Sequence, residues 1–240
     1  MAKLYGVGVG PGDPDLMTVK ARRALAECPV IAYFAARRSR GNGFAVVEPF
    51  VEDHHQLLRL TYPVTTESVD RADYERVIGA FYDESARAIE EHLVADRDVA
   101  VVCEGDPFFY GSYMYIHERL ADRHPTEVIP GVTSFSAAAA AAGRPLVAMN
   151  ETLTVIPGVL PPDELKEALA RVDAAVVMKV GRRLPAVRDA VEACGHGDRA
   201  IYVERASCES ERVLPLTETL DVDAPYFSLV LIPGTGIAER

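Results

Sequence analysis

Residues 5–16 read YGVGVGPGDPDL, and the fold turns on what that stretch is for. Leu4 to Val9 has the pattern of a short buried strand, and Gly6, Gly8, Gly10 and Gly12 fall at every second position. From Leu16 to Glu27 the apolar residues Leu16, Val19, Ala24 and Leu25 favour one side of a helix that Pro29 stops. Strand, glycine turn and helix together open a ligand-holding α/β unit. The dinucleotide fingerprint requires G-x-G-x-x-G, with an acid about 20 positions on. Counted from Gly6, its third glycine slot holds Pro11; counted from Gly8, it holds Asp13; and the second strand ends on Phe34-Ala35. No Gly-Lys-Ser/Thr follows, so the phosphate-binding P-loop also fails. What remains is Gly10-Pro11-Gly12, a rigid turn poor in side chains that another molecule can approach closely, with Asp13 and Asp15 placed to cap the next helix.

The same grammar repeats outward. Val30 to Phe34 reads as a second strand, and Ala36 to Phe44 (ARRSRGNGF) as a basic, glycine-bearing loop. Asp70 to Arg97 is an amphipathic helix with Val77, Phe81, Ala88, Ile89 and Leu93 on its apolar face. Asp98 to Cys103 is a strand followed by the loop Glu104 to Tyr110, and Glu127 to Ile129 is a strand before the turn Pro130-Gly131. Thr133 or Ser134 then caps a helix whose alanine run, Ala137 to Ala142, suits close packing. Strands over 153–156, 174–180 and 200–204 alternate with helices over 163–171 and 184–194, and strand runs 212–216 and 227–232 follow with no helix between. The expectation is an α/β protein of two domains, 1–123 and 124–240, the second with a mixed sheet. Three small-residue loops follow strand ends, at the edge where open α/β sheets hold ligands.

The composition narrows the partners. The chain has 240 residues, 49% of them hydrophobic, which supports a core, and a net charge of −11, which argues against nucleic acid or an anionic membrane surface. No apolar run is long enough to span a bilayer and no signal-peptide pattern opens the chain. Cys28, Cys103, Cys194 and Cys208 are scattered, as expected of reduced thiols in the cytoplasm. The six histidines lack metal-ligand spacing, and His54-His55 reads as a solvated loop.

GVGPGDPDLMTVKA (8–21), EGDPFFYGS (104–112) and IPGVTSFSAAAAAAGRPL (129–146), in that order, resemble the tetrapyrrole methylase family, and the resemblance spans essentially the whole chain. It implies two α/β domains with an active-site cleft between them, and methyl transfer from S-adenosylmethionine to a uroporphyrinogen-derived ring, leaving S-adenosylhomocysteine. It also implies a homodimer. For the cofactor it implies Pro11 in the first loop; Glu104, Gly105, Asp106 and Phe109 in the second; Thr133 and Ser134 in the third; Met178 at a strand end on the adenine side; and Ala206, where relatives usually have glycine. The sirohaem branch carries an Asp-Arg pair where this chain has Tyr33-Phe34-Ala35, so no general base is carried over. Glu104, Asp106, Tyr110 and Tyr113 stay open as proton acceptors. A ring bearing many carboxylates calls for arginine, and Arg37, Arg38 and Arg40 are the expected contacts, with Arg182 and Arg183 behind them. Whether the ring carries cobalt is not legible. The rivals are an NADP-dependent oxidoreductase, suggested by Arg37-Arg38 where a 2′-phosphate would sit, and a tetrapyrrole-binding module without turnover.

Overall fold

The computed structural model describes residues 1–63 and 71–236, and the chain divides into two compact units, 1–133 and 134–240. The first unit is built on five parallel strands, β1 (Leu4–Gly8), β2 (Val30–Ala36), β3 (Gln56–Tyr62), β4 (Val99–Cys103) and β5 (Thr126–Ile129), in the order β3-β2-β4-β1-β5. Buried on both faces, β4 has no exposed residue, which is why VAVVC is a continuous apolar run rather than an alternating one.

Four helices cover the two faces of this sheet. α1 (Val19–Glu27) and α2 (Asn42–Val47) share one core with Val7, Ile31, Ala100 and Val102. α3 (Arg71–Val94) and α4 (Tyr113–Leu120) share the other with Leu4, Val30, Val99 and Val101. Thr18 caps α1, its hydroxyl accepting the Ala21 N–H at 3.0 Å, so the helix starts later than Leu16. The residues before it form a short 3-10 turn whose Asp13 carboxylate accepts the Asp15 N–H at 2.8 Å.

Three expectations change here. β3 and α2 were not expected at all. His55 is not solvated: it is buried, its Nδ1 accepts the Glu52 N–H at 2.8 Å, and its Nε2 lies 3.0 Å from the Leu25 carbonyl. The units divide after Thr133 rather than after residue 123, because β5 pairs with β1 and so completes the first sheet. The expected start of the long helix, Asp70, lies outside the described residues.

The second unit holds α5 (Ser134–Ala141), β6 (Leu153–Pro157), α6 (Pro162–Leu169), β7 (Ala174–Met178), α7 (Leu184–Ala193), β8 (Ile201–Glu204), β9 (Arg212–Pro215) and β10 (Ser228–Ile232). Its sheet runs β6-β7-β10-β8-β9, with only β6 and β7 a parallel pair. The mixed sheet follows from the missing helix: β8 and β9 are joined too briefly for a parallel crossover. The small side chains of α5 let it lie against β10, with Ala137 and Ala138 buried. No helix among the described residues is long and apolar enough to cross a membrane.

Candidate functional site

In the first unit the chain leaves β1 toward α1 on one face, and leaves β4 toward α4 on the other. Between the C-terminal ends of these two adjacent strands the connections part. That is the topological switch point at which open α/β sheets form a crevice. The loops after the two strands are tied there by backbone: Val9 N–H donates to the Cys103 carbonyl at 2.9 Å and Gly105 N–H to that of Gly10 at 2.8 Å. Pro11, Glu104, Gly105, Asp106, Phe109 and Thr133 therefore belong to neighbouring strand ends of one sheet.

The glycines of the opening stretch have specific neighbours. A Cβ on Gly6 would lie 2.5 Å from Cζ of Tyr113, and one on Gly8 would lie 2.5 Å from the Gly131 nitrogen. A Cβ on Gly131 would come 2.9 Å from the Gly8 backbone and closer still to the Gly105 carbonyl. Close approach is thus required by the protein's own three loops, which meet backbone to backbone. Gly10 and Gly105 have φ of 79° and 63°, the left-handed region that favours glycine. At Gly105 a Cβ would meet the Val132 carbonyl at 3.8 Å and Thr133 Cα at 4.0 Å, ordinary contacts, so the left-handed backbone rather than lack of space favours glycine there.

The four candidate proton acceptors separate by geometry. Asp106 uses both oxygens on backbone: Oδ1 accepts the Phe108 N–H at 2.9 Å and Oδ2 the Gly131 N–H at 3.0 Å. It staples the second loop to the third. Tyr113 is fully buried beneath Gly6, its hydroxyl 3.4 Å from His117 Nδ1, and burial pushes its phenol well above the usual range. Tyr110 is exposed and left-handed, with φ of 55° and its ring 5.0 Å from that of Phe109. Glu104 follows the alternation of β4. Val99, Val101 and Cys103 face α3 and α4, Ala100 and Val102 face α1 and α2, and Glu104 turns next toward α2. Its Oε1 accepts the Gly43 N–H at 2.9 Å. The residue is half-buried against α2. That desolvation pushes the group up to about 7, the Gly43 N–H acting weakly against it.

The basic loop is organised by a residue that sequence reasoning missed. Arg59 on β3 donates from Nη2 to the carbonyls of Ala36 at 2.8 Å and Ser39 at 2.9 Å, with that of Arg37 at 3.3 Å. The signal was present in QLLRLTY, since an arginine inside a strand beside a glycine-bearing loop needs acceptors. Arg37 and Arg38 are exposed and make no ion pair with a described residue, while Arg40 is paired with Glu48.

In the second unit, β7 and β8 both run antiparallel to β10, so their C-terminal ends share one sheet edge. Met178 ends β7, its carbonyl accepting the Gly158 N–H at 2.6 Å. Ala206 follows β8 and is buried, between left-handed Arg205 (φ 49°) and Ser207 (φ 66°). The start of β10 links the two loops: Ser228 Oγ accepts the Gly181 N–H at 3.1 Å, and the Phe227 carbonyl accepts the Arg205 N–H at 2.8 Å. Ser134 opens α5. Arg182 and Arg183 lie in a short 3-10 turn after β7.

Parallel strands, a switch-point loop without a phosphate signature and a second, mixed sheet define a class, and the family comparison agrees. The model of the tetrapyrrole (corrin/porphyrin) methylases matches residues 3–221, and the chain belongs to that family. Among curated relatives, the precorrin-2 C(20)-methyltransferase of Sinorhizobium sp is 51% identical over 98% of this chain and 96% of its own length. The cobalamin biosynthesis protein CobIJ of Mycobacterium bovis is 46% identical over 96% of this chain, which spans 46% of that longer protein. Among solved structures, uroporphyrin-III C-methyl transferase from Thermus thermophilus in complex with S-adenyl homocysteine has a TM-score of 0.67 and 26% identity, over 97% of this chain and 92% of that one.

Proposed function

We propose that this protein is an S-adenosylmethionine-dependent C-methyltransferase of cobalamin biosynthesis, which methylates C20 of precorrin-2 to give precorrin-3A. The observation that carries the reading is the meeting of three loops at the β1/β4 switch point, in a chain 51% identical to a relative bearing that activity's name. The residues fit the methyl donor. From Cys103 to Tyr113 the second loop has no lysine or arginine, so no like charge opposes a ligand bearing a sulfonium and an ammonium. Gly105, Pro11, Phe109, Thr133 and Ser134 serve its amino-acid end, and Met178 and Ala206 serve the adenine. The bound donor supplies an electrophilic methyl group. The chain's task is to hold donor and acceptor within about 3–3.5 Å and exclude water. Arg37 and Arg38, on the loop whose backbone Arg59 binds, meet the ring's carboxylates, and Arg40 joins them by leaving Glu48. The enzyme works as a homodimer in the cytoplasm.

The test is calorimetric titration with S-adenosylhomocysteine and with NADPH, followed by turnover of labelled S-adenosylmethionine with precorrin-2 and with its cobalt form. Binding of S-adenosylhomocysteine alone, near one per chain, and label in the C20 methyl group are expected. Binding of NADPH instead, or binding without turnover on either ring, refutes the reading.

A further inference from the structure

Methylating a ring carbon that carries hydrogen leaves a proton to be removed, and no acceptor follows from sequence alone. The geometry points to Glu104 as the catalytic residue that takes this proton, a step that rests on the proposed methyl transfer. Among the four candidates, Asp106 has both oxygens committed to backbone donors that hold two loops together. Tyr113 lies at 0% exposure under Gly6, and Tyr110 projects from a left-handed position on the outer part of the loop. Glu104 stands at the strand end of the switch point with one oxygen anchored on Gly43 N–H and no second donor among the described residues. One fixed oxygen orients the carboxylate, and the other keeps its lone pairs.

The surroundings suit a base. α2 (NGFAVV) brings no charged side chain, and the titratable groups beside Glu104 on its own segment, Cys103 and Asp106, are acids. Among the described residues no guanidinium or ammonium is paired with the carboxylate. A carboxyl poised near 7 accepts a proton at neutral pH and releases it readily. The step balances. The bond between methyl carbon and sulfonium sulfur breaks with its electron pair left on sulfur. The new C–C bond takes its pair from the ring carbon, and the ring holds the positive charge. Glu104 then takes the proton, the C–H pair returns to the ring, and water carries the proton from Glu104.

The test compares Glu104→Gln and Glu104→Ala with the wild type. A glutamine carbonyl still accepts the Gly43 N–H, so the variant should unfold at no lower temperature than the wild type, and S-adenosylhomocysteine affinity should hold. Its kcat should fall by about 100-fold or more, the range of general-base catalysis. In Glu104→Ala, added formate should restore part of kcat, a rescue that a merely structural role would not show. The wild-type kcat should decline below a break near pH 7, where the carboxylate protonates. A kcat within about threefold of wild type in Glu104→Gln would overturn the assignment. So would lost S-adenosylhomocysteine affinity at unchanged kcat, which would make Glu104 a donor-holding residue. A wild type inactive on both rings would overturn the methyl-transfer reading and this inference with it. Activity with an indifferent Glu104 overturns the inference alone.

Discussion

Replacing Gly6 by alanine tests whether the first glycine serves the fold or a ligand. The added methyl would stand 2.5 Å from Cζ and 2.6 Å from Cδ1 of Tyr113. Carbon atoms in contact prefer about 3.5–4.0 Å, so the ring would have to retreat by roughly 1 Å. It has little freedom to do so: Tyr113 is at 0% exposure, flanked by Phe108 and His117 with ring centroids at 6.0 Å and 5.7 Å. Overpacking of this kind costs about 1–3 kcal/mol. At about 2–4 °C per kcal/mol for a chain of this size, Tm should fall by about 2–12 °C. Tyr113→Leu removes the obstructing ring and costs stability through the cavity it leaves. The double variant should then be more stable than the sum of the singles by about 1 kcal/mol or more, since the methyl enters vacated space. Circular-dichroism melts of the four proteins close the cycle. Additivity within about 0.5 kcal/mol would refute the reasoning. An unchanged Tm with weakened S-adenosylhomocysteine binding would move Gly6 from the core to the ligand.

Further outcomes follow from other contacts. Arg37→Gln, Arg38→Gln and Arg40→Gln combined should raise substrate KM about tenfold or more, three exposed charge contacts of up to about 1 kcal/mol each, without changing S-adenosylhomocysteine affinity. Arg59→Ala, which removes the hydrogen bonds to the loop carbonyls, should raise KM in the same direction; an unchanged KM would separate Arg59 from the site. Glu104 titrates near 7 in the fold against 4.5 for an ordinary carboxyl, so folding favours its protonated form. Stability from this group is full below pH 4.5 and is lost as pH rises toward 7, so Glu104→Gln should melt higher than wild type at pH 8, with the gain gone at pH 4.5. Glu127 behaves oppositely. Hydrogen bonds from Lys20 and Lys3 hold it down to about 2, so its contribution is full above pH 4.5 and lost as pH falls toward 2. Glu127→Gln should lower Tm at pH 7 and lose that effect on acidification; a constant deficit would contradict it.

Much of the first sheet was legible because its strands are buried on both faces, and VAVVC and LYGVG carry that burial in their composition. β3 was not legible: QLLRLTY is an edge strand, paired only with β2, and its mostly exposed residues lack a clean apolar face. The six-residue α2 follows Gly41 and carries Gly43 in its first turn, and owes its place to Phe44, Val46 and Val47 in the core of the α1 face. The domain boundary was misplaced for the same reason, since no local pattern says which sheet a four-residue strand will join.

The sequence by itself determined the α/β class, the order of elements, the three small-residue loops and the failure of the dinucleotide and P-loop signatures, because these are local in the chain. Tertiary structure decided what the loops do. Gly6 faces Tyr113, Gly8 faces Gly131, Asp106 reaches Gly131, and Arg59 reaches back to residues 36–39. Glu104 became distinct from Asp106, two residues away, because strand alternation turned one toward α2 while the other met two backbone donors. Spacing along a chain sets which face a residue takes; what waits on that face is set by elements a hundred residues distant.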